Sequence, residues 1–288
     1  MRNKLVSLLI NYFKLVIELV HFLIYFMREY EINLKEVSMQ FFGKYDTRFD
    51  SEFLVESYFY FNEEDKEIEP AEFEKLIKNK KLKKKNVAGT IFMYSPFYYP
   101  EGFDEKKKLS QQDFEFDGEF QKLKIEREMT LFKQKIKGYE GKIIQVRFLF
   151  NLNIRNIDTD EILMTLNDDV EKLNSEQLTR FDKDMNYSDV NNLDVNGKFV
   201  LFAWGSKINE KEFVYLHDYA KDVYEKCVQM QKNVVYVYKR STQKAYAVDN
   251  LQFQHPIATG RFKDRMPDAF AQVFSQNPPI CAPFNDLA

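Results

Sequence analysis

The chain opens on a long apolar stretch from Leu5 to Met27 in which Asn11, Lys14, Glu18 and His21 recur every three or four residues. That spacing puts the four polar residues on one face of a helix. The stretch is long enough to cross a bilayer, but Lys14 and Glu18 would then sit at mid-depth at a high cost. The pattern therefore predicts an amphipathic leader helix over 1–38. It would pack on the body, on a protein partner or on a membrane surface. A membrane segment or anchor, and a start at Met39, are the other readings of this region. Neither a small-residue cleavage site nor an Arg- and Ser-rich transit pattern is found.

Residues 41–61 alternate aromatic and polar positions, which predicts one or two strands or a short helix–strand unit. A helix follows from Pro70, with Glu72 and Glu74 in its first turn and lysines at its end. Lys75, Lys78, Lys80, Lys81, Lys83, Lys84 and Lys85 form the most basic stretch of the chain. It fits either a solvated helix end or a phosphate-contacting patch. Residues 39–86 are expected to form a small α+β extension with this basic linker.

From Val87 the pattern changes. Four apolar runs rich in β-formers appear: VAGTIFMY, KIIQVRFLFNLNI, GKFVLFAWG and NVVYVYKR. Between them lie charged stretches of helical pattern at 104–140 and 158–186. Ahead of the fourth run, Phe213, Leu216, Tyr219, Ala220, Val223 and Cys227 line one helical face. Strands separated by helices imply right-handed crossovers and a parallel sheet. The expected fold is a three-layer α/β domain over 87–288 with a mainly parallel four-stranded central sheet, preceded by the N-terminal helical and mixed extension.

Composition narrows this only slightly. The 288 residues are 44% hydrophobic and 30% charged, which suits a cored domain with an extension and excludes a polytopic membrane protein. With 28 Phe and 17 Tyr, disorder over most of the length is excluded too. The net charge of -3 argues against a protein that binds nucleic acid over its whole surface, but leaves local basic patches open. Cys227 and Cys281 are two isolated cysteines without a Cys-x-x-Cys, so a zinc ribbon or a four-cysteine iron–sulfur cluster is excluded. Two ordinary thiols point to an intracellular, reducing compartment. No metal or cofactor is implied.

In parallel sheets, ligands bind beyond the carboxyl ends of the strands. The loops there hold Ser95-Pro96-Phe97-Tyr98-Tyr99-Pro100, then Asn151 with Asn153, Arg155 and Asn156, then Trp204-Gly205-Ser206-Lys207, then Gln254-His255-Pro256. Aromatics can stack on a planar ligand, an Asn amide can read a donor–acceptor edge, and a His can donate to developing negative charge. Each residue also has a plain structural reading: Tyr98 and Tyr99 as loop packing, Asn151 in a turn, His255 as a loop cap, Trp204 in the core. Phosphate-loop, dinucleotide-fold and nucleophile-elbow motifs are missing from the sequence.

These residues, in this order, resemble the uracil-DNA glycosylase superfamily. That family has a strand and then a loop of the form Gly-Gln-Asp-Pro-Tyr-His-Gly-Pro-Gly, to which 93–102 is similar. Its second strand ends in an apolar run and Asn, as in Phe148-Leu149-Phe150-Asn151. Its third often ends in Trp-Gly, as in Trp204-Gly205, and its last loop begins His-Pro-Ser, against His255-Pro256-Ile257 here. A poorly characterised phage and bacterial branch shares the order.

The resemblance covers about residues 87–265. It implies DNA as partner and a pocket for a flipped base. Asn151 would read the base edge, and Phe97, with Tyr98 beside it, would guard the ring. His255 would stabilise the departing base. Lys207, Arg261, Lys263 and Arg265 would meet phosphate, with Arg240 on the same rim. Ser95 stands where the family has its water-activating Asp, Ile257 where it has a Ser, and Met93 where it has a Gly. The resemblance thus implies N-glycosidic bond hydrolysis on DNA, in modification or repair. The alternatives are a non-catalytic subunit of a larger assembly on the same fold, or an unrelated enzyme on a parallel α/β sheet.

Overall fold

The computed structural model describes residues 39–46, 53–63, 66–94, 102, 118–124, 139–149, 189–205, 207–209, 214–255, 266–276 and 278–284. The chain divides into a unit over Met1–Glu36 and a unit over Val37–Ala288. The expected leader helix lies outside the described residues. Among the described residues, no helix is long and apolar enough to cross a membrane.

The second unit is α/β, built on one mixed eight-stranded sheet. Among the described residues, strands β1 (Met39–Asp46) and β2 (Phe53–Phe61) come first, followed by helices α1 (Pro70–Lys78) and α2 (Lys80–Asn86). Strands β3 (Val87–Met93), β4 (Phe120–Lys122), β5 (Ile143–Phe148) and β6 (Phe199–Ala203) follow. Helix α3 (Val214–Gln229), β7 (Asn233–Lys239), α4 (Lys244–Asp249), α5 (Met266–Phe274) and β8 (Ala282–Phe284) are the last among the described residues. Across the sheet the order is β4-β1-β2-β5-β3-β6-β7-β8.

The four strands expected from the apolar runs are β3, β5, β6 and β7. They lie side by side as β5-β3-β6-β7, all parallel. The sheet is larger than the four strands expected, and it is mixed. The hairpin β1–β2 joins it antiparallel through β2 and β5. The short β4 adds to β1, and the short β8 adds parallel to β7. The sequence missed β4 because its three residues sit in a charged stretch of helical pattern. It missed β8 because three residues are too few to show a period.

Period-2 alternation places neighbouring strand residues on opposite faces. On one face Phe41, Phe59, Ile91, Met93, Val146, Leu201 and Val237 pack with Met266, Phe270 and Val273 of α5. On the other, Phe92, Val200, Phe202 and Tyr236 pack with Leu216, Ala220, Val223 and Cys227 of α3. Beyond them Phe42, Tyr58 and Tyr60 meet Phe73 and Ile77 of α1, with Phe42 stacked on Phe73 at 4.2 Å. From Leu216 to Cys227 the α3 stripe is the one read from the sequence, and Phe213 lies outside the described residues. Helix α1 starts at Pro70 as expected, since a proline in the first turn gives up no helical hydrogen bond.

Candidate functional site

The parallel strands β5, β3, β6 and β7 point their carboxyl ends to one edge of the sheet. Tyr94, just past β3, is buried, and so is Leu149, just past β5. The backbone N–H of Leu149 donates to the carbonyl of Met93 at 3.0 Å, which ties these two strand ends together.

Trp204 follows β6 and is buried with its ring 4.6 Å from that of Phe202. Its Nε1–H donates to the carbonyl of Leu251 at 3.1 Å. A buried indole N–H needs an acceptor, and a loop carbonyl supplies it. Phe253, two residues on, is buried among aromatics, with ring centroids 4.5 Å from Tyr236 and 5.7 Å from Phe202, both stacked. The N–H of Gln254 donates to the carbonyl of Val237 in β7 at 2.8 Å. Segment 251–255 is thus pinned from three sides.

His255 emerges half-buried beyond these anchors. It lies against Gly205: a β-carbon added there would be 3.3 Å from the Cβ of His255. Gly205 has φ +82°, a region that an L side chain enters only with strain. Gly205 thus meets two demands at once, a left-handed turn out of β6 and room for the last loop.

Of the residues picked out in the sequence, the structure therefore brings together Trp204, Gly205 and His255. Lys207 begins a short 3-10 turn, Lys207–Asn209, two residues beyond Gly205. Ser95, Phe97, Tyr98, Asn151, Arg261, Lys263 and Arg265 lie outside the described residues, as does the side chain of Lys207. Among the described residues, no cluster of three or more His, Cys, Asp or Glu could hold a metal ion.

A second polar constellation was not foreseen. Thr90 of β3 and Gln145 of β5 face each other across the parallel ladder and are both buried. Thr90 Oγ1 lies 2.9 Å from Gln145 Oε1 and 2.9 Å from the carbonyl of Asn196, so its single proton serves one or is shared. The Asn196 N–H donates toward Thr90 Oγ1 and Gln145 Oε1, each at 3.1 Å. Gln145 Nε2 donates to Asp194 Oδ2 at 3.1 Å, and Lys83 Nζ lies 4.0 Å from that carboxylate. Next to it the Tyr58 hydroxyl donates to Glu56 Oε2 at 3.0 Å. Burial, then the charge of Glu56, pushes the Tyr58 pKa up. The sequence signal was a Thr and a Gln inside otherwise apolar runs, but only the register pairs them. Its donors and acceptors answer one another, so it acts as a clasp holding loop 194–196 to the sheet.

No protein-family model, curated protein or solved structure matches the chain.

Proposed function

We propose that this protein recognises a nucleic-acid base in a uracil-DNA-glycosylase-like pocket at the carboxyl edge of β5-β3-β6-β7, and cleaves the N-glycosidic bond there. The observation that carries the reading is the contact between Gly205 and His255. It joins the third and the last of the loops in which the sequence resembles that superfamily. The parallel order, with the second strand outside the first and the third and fourth following, supports the same reading.

In this proposal Asn151 pairs with the base edge, and Phe97 and Tyr98 close on its ring. The C1′–N bond breaks with its electrons leaving on the base. His255 donates a hydrogen bond to the anionic base, and water adds to C1′ with its proton passing to the departed base. Lys207, Arg261, Lys263 and Arg265 hold phosphates of the flanking DNA. Ser95 carries no charge, so it cannot balance a cationic sugar as an Asp does. Slow excision is the consequence.

Ser95 also favours a second reading, a subunit that keeps the base pocket and has lost the reaction. The experiment that separates them is alkali-induced strand scission. The full chain is incubated with single- and double-stranded DNA carrying uracil or damaged bases. Scission at the marked base, lost in Asn151→Ala and His255→Ala, establishes the enzyme. No scission on any substrate, with base-dependent binding lost in the same variants, establishes the non-catalytic pocket. Neither scission nor base-dependent binding overturns both.

A further inference from the structure

The opposite edge of the same sheet gathers charge that the base pocket does not use. Helix α2 runs Lys80–Asn86 straight into β3, and Lys85 is exposed one residue before that helix ends. Lys198 immediately precedes β6, is exposed, and its N–H donates to the carbonyl of Ala88 in β3 at 2.8 Å. Lys232 immediately precedes β7. Its Nζ donates to the carbonyl of Gly197 at 2.8 Å, and the carbonyl of Lys198 accepts from the N–H of Asn233 at 3.2 Å. Lys85, Lys198 and Lys232 therefore stand at the starts of three adjacent parallel strands, whose spacing is about 4.8 Å per step.

Among the described residues, the neighbouring lysines Lys78, Lys83 and Lys122 have carboxylate partners and this trio has none. Lys83 is matched by Asp194, Lys78 by Glu74, and Lys122 by Glu67 and Glu69. Among the described residues, no carboxylate forms an ion pair with Lys85, Lys198 or Lys232. The hydrogen bond from Lys232 to a carbonyl fixes its ammonium at the edge without cancelling its charge. Lys80 and Lys81 extend the positive surface along α2, and both are exposed. On the β5 side the surface ends where Glu63 lies against Gly141, next to Glu140.

We propose that this edge, centred on Lys85, Lys198 and Lys232, docks the phosphate backbone of duplex DNA. A row of lysines at the starts of adjacent strands, without carboxylate partners among the described residues, fits a regular array of single negative charges, and it gains by releasing counterions. The seven residues of β3 separate this edge from His255 by about 20 Å at ~3.3 Å per residue. That exceeds the screening length of about 8 Å at physiological salt. The lysine edge therefore engages a stretch of backbone other than the one at the base pocket. Its docking does not rest on the base-recognition reading.

The test is fluorescence anisotropy of the full chain with a random-sequence DNA duplex between 50 and 200 mM salt. The variant is Lys85→Glu/Lys198→Glu, with Lys85→Gln/Lys198→Gln as the milder pair and circular dichroism to confirm folding. The expected result is a loss of affinity of about tenfold or more at the low-salt end, and a slope of log affinity against log salt smaller by roughly 2 for two lost contacts. Excision or base-dependent binding on a short oligonucleotide stays as in the unaltered chain. Unchanged affinity and slope would overturn the proposal. So would loss of binding to phosphatidylserine vesicles with DNA binding intact, since the partner would then be an anionic lipid surface. A chain that excises nothing, yet loses the salt slope in the variant, sinks the base pocket and keeps the lysine edge.

Discussion

The indole Nε1–H of Trp204 donates to the carbonyl of Leu251 at 3.1 Å, which fastens the end of β6 to the loop that carries His255. Leu251 itself has φ +52°, unusual for a non-glycine residue, and is buried. The bond and the burial together hold a loop conformation that the chain would not favour alone.

Trp204→Phe should therefore weaken more than a contact. It keeps most of the aromatic surface but removes the indole donor, leaving the Leu251 carbonyl with the Phe253 N–H at 3.0 Å alone. The expected loss is about 0.5–1.5 kcal/mol of stability, read by urea unfolding. Any His255-dependent excision should fall with it. Unaltered stability would mean that the bond contributes nothing net.

Gly205→Ala tests the turn beside it. A non-glycine residue in the left-handed region costs about 1–2 kcal/mol, and the new methyl group crowds the Cβ of His255. Stability should drop by at least that amount, and the imidazole resonances of His255 in an NMR spectrum should shift. A chain of full stability with an unmoved His255 spectrum contradicts the geometry.

The clasp of Thr90, Gln145 and Asn196 should be non-additive. Gln145→Leu removes its bonds to Thr90, Asn196 and the exposed Asp194, at about 0.5–1.5 kcal/mol for each bond lost, while the Asn196 N–H keeps Thr90 Oγ1 and Asp194 keeps the Asn196 amide. Thr90→Val removes the Thr90 bonds to Gln145 and Asn196 from the same set. The double variant should cost less than the sum of the two singles, by about 0.5–3 kcal/mol in a double-mutant cycle. Strict additivity would show that the two side chains act separately.

The two thiols should differ in reactivity. Cys227 is buried in the α3 stripe, and burial pushes its thiol up to about 12. Cys281 is only partly buried, with its Sγ 3.7 Å from the Val234 carbonyl it donates to. At neutral pH a thiol reagent should label Cys281 in the folded protein and reach Cys227 only after denaturation. Labelling of Cys227 in the folded Cys281→Ser variant would refute the burial.

Alkali should unfold this protein. Burial raises the Tyr139 hydroxyl to about 12, and it raises Tyr58, Tyr60, Tyr224 and Tyr236 as well. Each of these groups, like Cys227, keeps its proton in the folded chain at a pH where the unfolded chain has lost it. Their contribution is complete below the ordinary values of 9.0 for the thiol and 10.0 for the tyrosines. It is lost progressively as the pH rises through the raised folded values. The unfolding midpoint in urea should thus fall steadily from about pH 9 upward. A flat profile from pH 8 to 11 would contradict these environments.

The sequence by itself determined the parallel core and the face of α3. Runs such as VLFA and VVYV are apolar on both faces, which suits strands covered on both sides. The stripe from Leu216 to Cys227 recurs at helical spacing, and Pro70 marks a helix start. All of these are local patterns with enough residues to show a period. The tertiary structure decided what depends on pairing. That β1 and β2 join the sheet through β5 rests on long-range hydrogen bonds, and β4 and β8 are strands only because a neighbour offers its edge. Thr90 and Gln145 lie 55 positions apart and meet only through the register of β3 with β5. Gly205 and His255 were legible as loop residues, but their contact required Trp204, Phe253 and Gln254 to fold the last loop back onto β6 and β7. Lys85, Lys198 and Lys232 carry no signal as a group in the sequence. They become one surface because parallel strands bring their starting residues to the same edge of the sheet.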